Sequence, residues 1–190
     1  LLLVAAPLRA GELAAPEGAA DRGRDAMTAR CFLEPAWSLG AYTAVRGLWE
    51  DGSAPDPEAD PAGYAAAFNA RYGLHPAPFP NDGLPMGLKR SVGRDGRVGL
   101  TIDCLVCHGG SIGGESYVGL GNSQLDLKAL LDDLTRADGK KPPLSPFTVN
   151  STRGTNNAGQ IAVALLSMRN EDLSPRTLPL LTGAWLPEMD

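Results

Sequence analysis

Five consecutive residues near the middle of the chain combine two thiols and an imidazole: Cys104-Leu105-Val106-Cys107-His108. On one helical turn, thiols three residues apart project to the same side, and the next residue adds an imidazole there. This spacing is the attachment signature of c-type haem. Each thiol can add to a vinyl group of the porphyrin, and the imidazole is placed to ligate the iron. Cys104 and Cys107 are therefore the expected points of covalent haem c attachment, and His108 the expected proximal iron ligand. At average residue usage such a match arises by chance in roughly one chain of this length per thousand.

Other uses of C-x-x-C fit less well. A structural zinc site needs four nitrogen or sulfur ligands, and no second C-x-x-C follows. Only Cys31 and His75 remain to complete one, at unhelpful spacings. A thioredoxin-like pair needs a βαβ context, and the neighbourhood shows no alternation of strand and helix. A bare disulfide leaves His108 unexplained. Cys31, without a partner, reads as a small buried apolar residue.

The elements that position this segment are short. The chain has 190 residues, 43% of them hydrophobic, with 23 Gly and 16 Pro. That length supports one sizeable core plus an extension. A net charge of −5 gives no footprint for nucleic acid. No apolar run approaches the length of a membrane span. Leu1 to Ala10 reads as the tail of a signal-peptide apolar region, and Gly11 to Asp25 as a linker. The organisation expected is a signal remnant and linker over 1–25, a helical extension over 26–73 and a haem domain over 74–190, cut short at its C-terminus. Export follows from the same reading, which places the protein in the periplasm or outside the cell.

Within the extension, Ala36 to Trp49 fits a helical stripe only roughly. Asp60 as N-cap and Pro61 at the first position start a clearer helix, with Tyr64, Phe68 and Tyr72 on one face and Gly73 at its end. An aromatic stripe of this kind reads first as core. The stretch from Leu74 to Gly96, with prolines at alternate positions, is a long loop of the sort that usually serves function. Val98 to Asp103 leads extended into the haem turn. Gly109 to Gly114 would let backbone pass close to a porphyrin; its spacing fits neither dinucleotide nor P-loop patterns. Ser123 is placed to cap a helix through Leu134 that ends before Gly139. A further helix is expected from Asn157 through Met168.

Four blocks in order carry a resemblance: Tyr72-Gly73-Leu74-His75-Pro76-Ala77-Pro78, Leu84-Pro85-Met86-Gly87-Leu88, Cys104 to Gly110, and Gly119-Leu120-Gly121-Asn122-Ser123. Together they resemble the N-terminal haem half of the bacterial di-haem cytochrome c peroxidases and haem rubber oxygenases. The likeness runs from about Phe68 to Asp190. It implies a mainly α, cytochrome c-like haem domain with short helices and long Pro/Gly-rich loops. It also implies two haem domains, whereas one C-x-x-C-H is present here. A second is therefore either absent or beyond Asp190. No proline follows His108 until Pro142, unlike in simple soluble cytochromes c.

Two function classes follow. One is a haem oxidoreductase acting on peroxide or dioxygen at an open distal face, with His75, Glu115 and Arg153 as candidate acid, base or polar groups. The other is an electron-transfer cytochrome whose sixth iron ligand is His75, Met86, Met168 or Met189. A redox or gas sensor domain is a third reading. Lys89, Arg90 and Arg94 are placed to reach the haem propionates. A redox partner protein or a second haem domain is the expected partner.

Overall fold

A computed structural model describes residues 18–31, 33–50, 54–142 and 151–154. The signal remnant, the expected helix from Asn157, and Met168 and Met189 lie outside these residues. In chain order the elements are α1 (Ala19–Ala29), α2 (Ala41–Ala44) continued by a 3-10 turn (Val45–Leu48), α3 (Pro61–Tyr72), β1 (Leu88–Val92), β2 (Val98–Ile102), α4 (Leu105–His108), β3 (Gly109–Ile112), β4 (Glu115–Val118) and α5 (Leu127–Ala137). The strands form two separate antiparallel pairs, β1 with β2 and β3 with β4. The expected mainly α, cytochrome c-like fold is thus corrected to a mixed α/β arrangement.

The reason lies in the turns. Asp95-Gly96 joins β1 to β2: Gly96 sits at φ 79°, and the Asp95 carboxylate accepts the Arg97 N–H at 2.9 Å. The pairing runs from Leu88 opposite Ile102 to Val92 opposite Val98. Gly113 and Gly114, both at positive φ, close the second hairpin. Two such residues in succession are the hairpin turn signal. The expected glycine-rich approach to the porphyrin is therefore a β-ribbon following directly on α4. The segment expected as linker is also revised, since its residues from Ala19 onward are helical in α1.

The α3 helix forms as its sequence predicts. Asp60 accepts the Gly63 N–H at 2.8 Å, and Gly73 ends the helix in the left-handed region. Tyr64, Phe68 and Tyr72 are buried at i, i+4 and i+8. They meet Tyr42 and Trp49, with the Phe68 ring centroid 4.7 Å from both Tyr42 and Tyr72, and Trp49 stacked on Tyr64 at 5.8 Å. The α5 helix covers this column with Leu127, Leu130 and Leu134. Its cap is Asp126, whose carboxylate accepts the Ala129 N–H at 3.0 Å, rather than Ser123. Leu125, expected inside the helix, is buried ahead of it.

One apolar core joins residues from Trp37 through Leu134, drawing on chain both before and after Leu74. Three of the polar tips inside it are paired, while the buried Tyr42 hydroxyl has no hydrogen-bond partner. Trp49 Nε1 donates to the Tyr72 hydroxyl (3.1 Å), which donates to Asp133 (2.9 Å), and Trp37 Nε1 donates to Thr135 (3.0 Å). No helix among the described residues is long and apolar enough to cross a membrane. Phe68→Ala empties the centre of the aromatic column and is expected to cost about 3–5 kcal/mol. Urea unfolding measures it, and a loss below about 1 kcal/mol contradicts this placement of the core.

Candidate functional site

The Cys104–His108 segment is a helical turn closed by the His108 N–H donating to the Cys104 carbonyl at 3.0 Å. Four helical residues cannot satisfy their own ends, and neighbours do it for them. At the front, Asp103 accepts the Leu105 N–H through its carboxylate (2.8 Å) and the Val106 N–H through its carbonyl (3.2 Å). At the back, three successive carbonyls are taken. Val106 O accepts from Asn122 Nδ2 at 3.2 Å, Cys107 O from the Asn122 N–H at 2.8 Å, and His108 O from the Gly119 N–H at 2.7 Å.

This turn holds Cys104 and His108 exposed, one helical turn apart, with Cys107 half-buried beside them. Both thiols are free, and the His108 imidazole has no hydrogen bond among the described residues. Two thiols and an uncommitted imidazole on one turn are the donor set that c-type haem needs, so the residues fit that group. Burial, with the nearby Cys104 thiolate adding to it, pushes the Cys107 thiol up to about 11. Among the described residues no three His, Cys, Asp or Glu side chains gather as a metal-ion cage.

Beneath the turn lies Asn122, 2% exposed. Its amide nitrogen donates to Gly73 O (2.8 Å) as well as to Val106 O, and its amide oxygen accepts the Gln124 N–H (3.0 Å). His75 Nε2 lies 3.2 Å from that same oxygen. Since the amide nitrogen is spent on two carbonyls, the oxygen accepts, and His75 carries its hydrogen on Nε2. Met86 is buried directly under Gly109, where an added Cβ would come within 2.7 Å of its sulfur. Its N–H donates to His75 O at 2.8 Å. Gly87, at φ 92°, lies so close to the turn that a Cβ there would be 2.2 Å from Val106 Cα. The four sequence blocks that carry the resemblance are thus brought together around Asn122.

The other candidates are dispersed. Lys89 is buried, and its ammonium donates to the carbonyls of Met27, Thr28 (3.0 Å) and Arg30 (2.8 Å), capping α1. It also pairs with Asp103 at 3.3 Å. Asp103 Oδ2 accepts no hydrogen bond, so the ion pair alone compensates it. Lys89 is therefore not free for a propionate. Arg94 is exposed against Glu34, and Arg90 is exposed on β1. Glu115, on β4, accepts the Tyr117 hydroxyl at 2.9 Å. Arg153 donates to Arg71 O (2.6 Å) and Gln124 O (3.2 Å), fastening chain behind Asn122. Cys31, expected buried, is half-buried and donates weakly to Leu33 O.

Sequence reasoning gave Asn122 and Asp103 no role. Their signal is that Asn122 lies within a block already singled out and Asp103 directly before one, each carrying a side chain able to bond backbone. In comparisons with known proteins, no family model matches the chain and no curated protein matches it either.

Two outcomes are expected here. Lys89→Met leaves the Asp103 carboxylate buried without its partner and three carbonyls uncapped, for a loss of about 3–5 kcal/mol in urea unfolding; wild-type stability contradicts the pairing. In protein with free thiols, Cys107 alkylation should rise with a midpoint near 11, against the ordinary 9.0 once unfolded. The folded state then keeps a proton that the unfolded chain releases, so stability falls as pH rises through that window. An ordinary midpoint in the folded state rules the burial out as its cause.

Proposed function

We propose that this chain binds haem c covalently, through Cys104 and Cys107, with His108 as the proximal ligand of iron. The observation that carries the reading is the capped turn, which presents an exposed thiol, a half-buried thiol and an uncommitted imidazole side by side. Bound haem supplies one-electron and oxygen chemistry. The chain's own contribution is to hold the thiols and imidazole in a fixed relation. Asp103 anchors the front of the turn and Asn122 with Gly119 its back, which fixes the backbone that carries His108.

The reading is further a haem oxidoreductase acting on peroxide or dioxygen, related to the di-haem peroxidases and haem rubber oxygenases. Two placements support it over an electron carrier with six-coordinate iron. His75 is engaged with Asn122, and Met86 lies under Gly109. Of the four candidate sixth ligands, the two that lie among the described residues are therefore not at hand. A redox partner protein or a second haem domain would supply or take up electrons, and covalent attachment in bacteria places the protein in the periplasm or outside the cell.

The test is the optical spectrum of protein exported with the haem-attachment machinery, reduced with dithionite, before and after carbon monoxide. A c-type spectrum that shifts with carbon monoxide is expected, and Cys104→Ala with Cys107→Ala should abolish covalent haem. Absence of haem bands in the wild type ends the haem reading. A c-type spectrum unmoved by carbon monoxide means a strong sixth ligand and turns the assignment to electron transfer.

A further inference from the structure

The turn's orientation depends on contacts made at its rear. Of the three carbonyls leaving it, two are held by Asn122, one through the main chain and one through the side-chain amide. The same amide reaches Gly73 O at the end of α3, so it ties the turn to the rigid aromatic column. An amide is a weak lever unless its own rotation is fixed. Two groups fix it by donating to its oxygen, the Gln124 N–H and His75 Nε2. His75 is 9% exposed and its carbonyl is held by the Met86 N–H, so its ring has little room to turn.

We propose that Asn122, oriented by His75, is the positioning residue that sets the directions of Cys104, Cys107 and His108. The proposal deepens the haem reading, because it rests on that turn being the attachment site. It also gives His75 a role: it acts through Asn122 rather than on the iron. Removing the Asn122 side chain leaves its main-chain bond to Cys107 O in place. The turn stays attached but can rotate, which brings the half-buried Cys107 thiol outward.

The experiment needs no haem. The full chain, expressed without the attachment machinery, is labelled with iodoacetamide at pH 8, and each cysteine is followed by peptide mass. In the wild type the exposed Cys104 should react more than about ten-fold faster than Cys107. Asn122→Ala should narrow that gap to less than about three-fold, with the Cys31 rate as an internal reference for global loosening. His75→Ala should narrow it in part, and His75→Gln, which keeps an N–H donor, should restore it. Val45→Ala, which loosens the core in the 3-10 turn and outside the aromatic column, should leave the gap as in wild type.

An unchanged gap in Asn122→Ala overturns the proposal, as does a gap lost equally in Val45→Ala. Should Asn122→Ala not fold, the two His75 variants decide: Ala narrowing the gap while Gln preserves it supports the proposal, and identical behaviour overturns it. A matured wild-type chain without haem bands would end the haem reading while leaving this labelling ratio as it stands, so the two failures are separable.

Discussion

The helical turn from Leu105 to His108 is too short to satisfy its own ends, and the structure around it is arranged by how those ends are satisfied. A long helix closes most of its backbone bonds internally; four residues leave nearly all of theirs open. Buried without partners, each open group would cost about 1–3 kcal/mol. Asp103 answers the front and Asn122 with Gly119 the back. Because these partners lie on the inner side and at the ends, the outer face stays clear. Cys104 and His108 can then be exposed without leaving the turn loose.

Such close support requires backbone to approach backbone, which side chains would prevent. Gly73 shows this at the end of α3: a Cβ there would sit 1.8 Å from Gln124 O. Gly87 shows it on the other side, against Val106. Both have positive φ, so the same residue supplies the sharp turn and the clearance. The Lys89–Asp103 pair acts differently. A buried ion pair adds little net stability, but breaking it is costly, so it serves to fix a neighbour relation. Here it couples the C-terminus of α1 to the residue that caps the Cys104–His108 turn.

What the sequence made legible follows from where the interactions are local. The α3 helix could be read because its cap, its proline, its aromatic period and its terminal glycine all lie within fourteen residues, from Asp60 to Gly73. The C-x-x-C-H turn was legible for the same reason. β2 was read as an extended lead over Val98 to Asp103, but its partner was not, because β1 carries Lys89 and Ser91 at buried positions, which breaks the apolar alternation that marks a strand. Asp95-Gly96 and Gly113-Gly114 were the available signals for hairpins, and both are turn chemistry rather than hydrophobic pattern. The α5 cap was misplaced by three residues since Ser123 and Asp126 both suit an N-cap. The Asp126 N–H, held by Tyr72 O at 2.9 Å, helps fix where that helix begins. Asn122 and Lys89 reach residues as far as 49 and 62 positions away, beyond the reach of any local pattern.

These contacts divide the molecule into a part that resists movement and a part that presents chemistry. The aromatic column of α3, closed over by α5, supplies dispersion contacts and buried area, and its hydroxyl and indole groups are bonded inward. Almost no stability has to come from the reactive turn itself. The two thiols then differ for a simple reason: Cys107 leans on the core while Cys104 stands at the turn's entrance. A thiol that leans on the core keeps its proton to higher pH and is the slower nucleophile at neutral pH. If haem is attached here as proposed, its two attachments need not be equivalent, and the more exposed sulfur is the one placed to engage first. The second can follow only as accurately as the turn is aimed, which is why the contacts behind it matter as much as the residues in front.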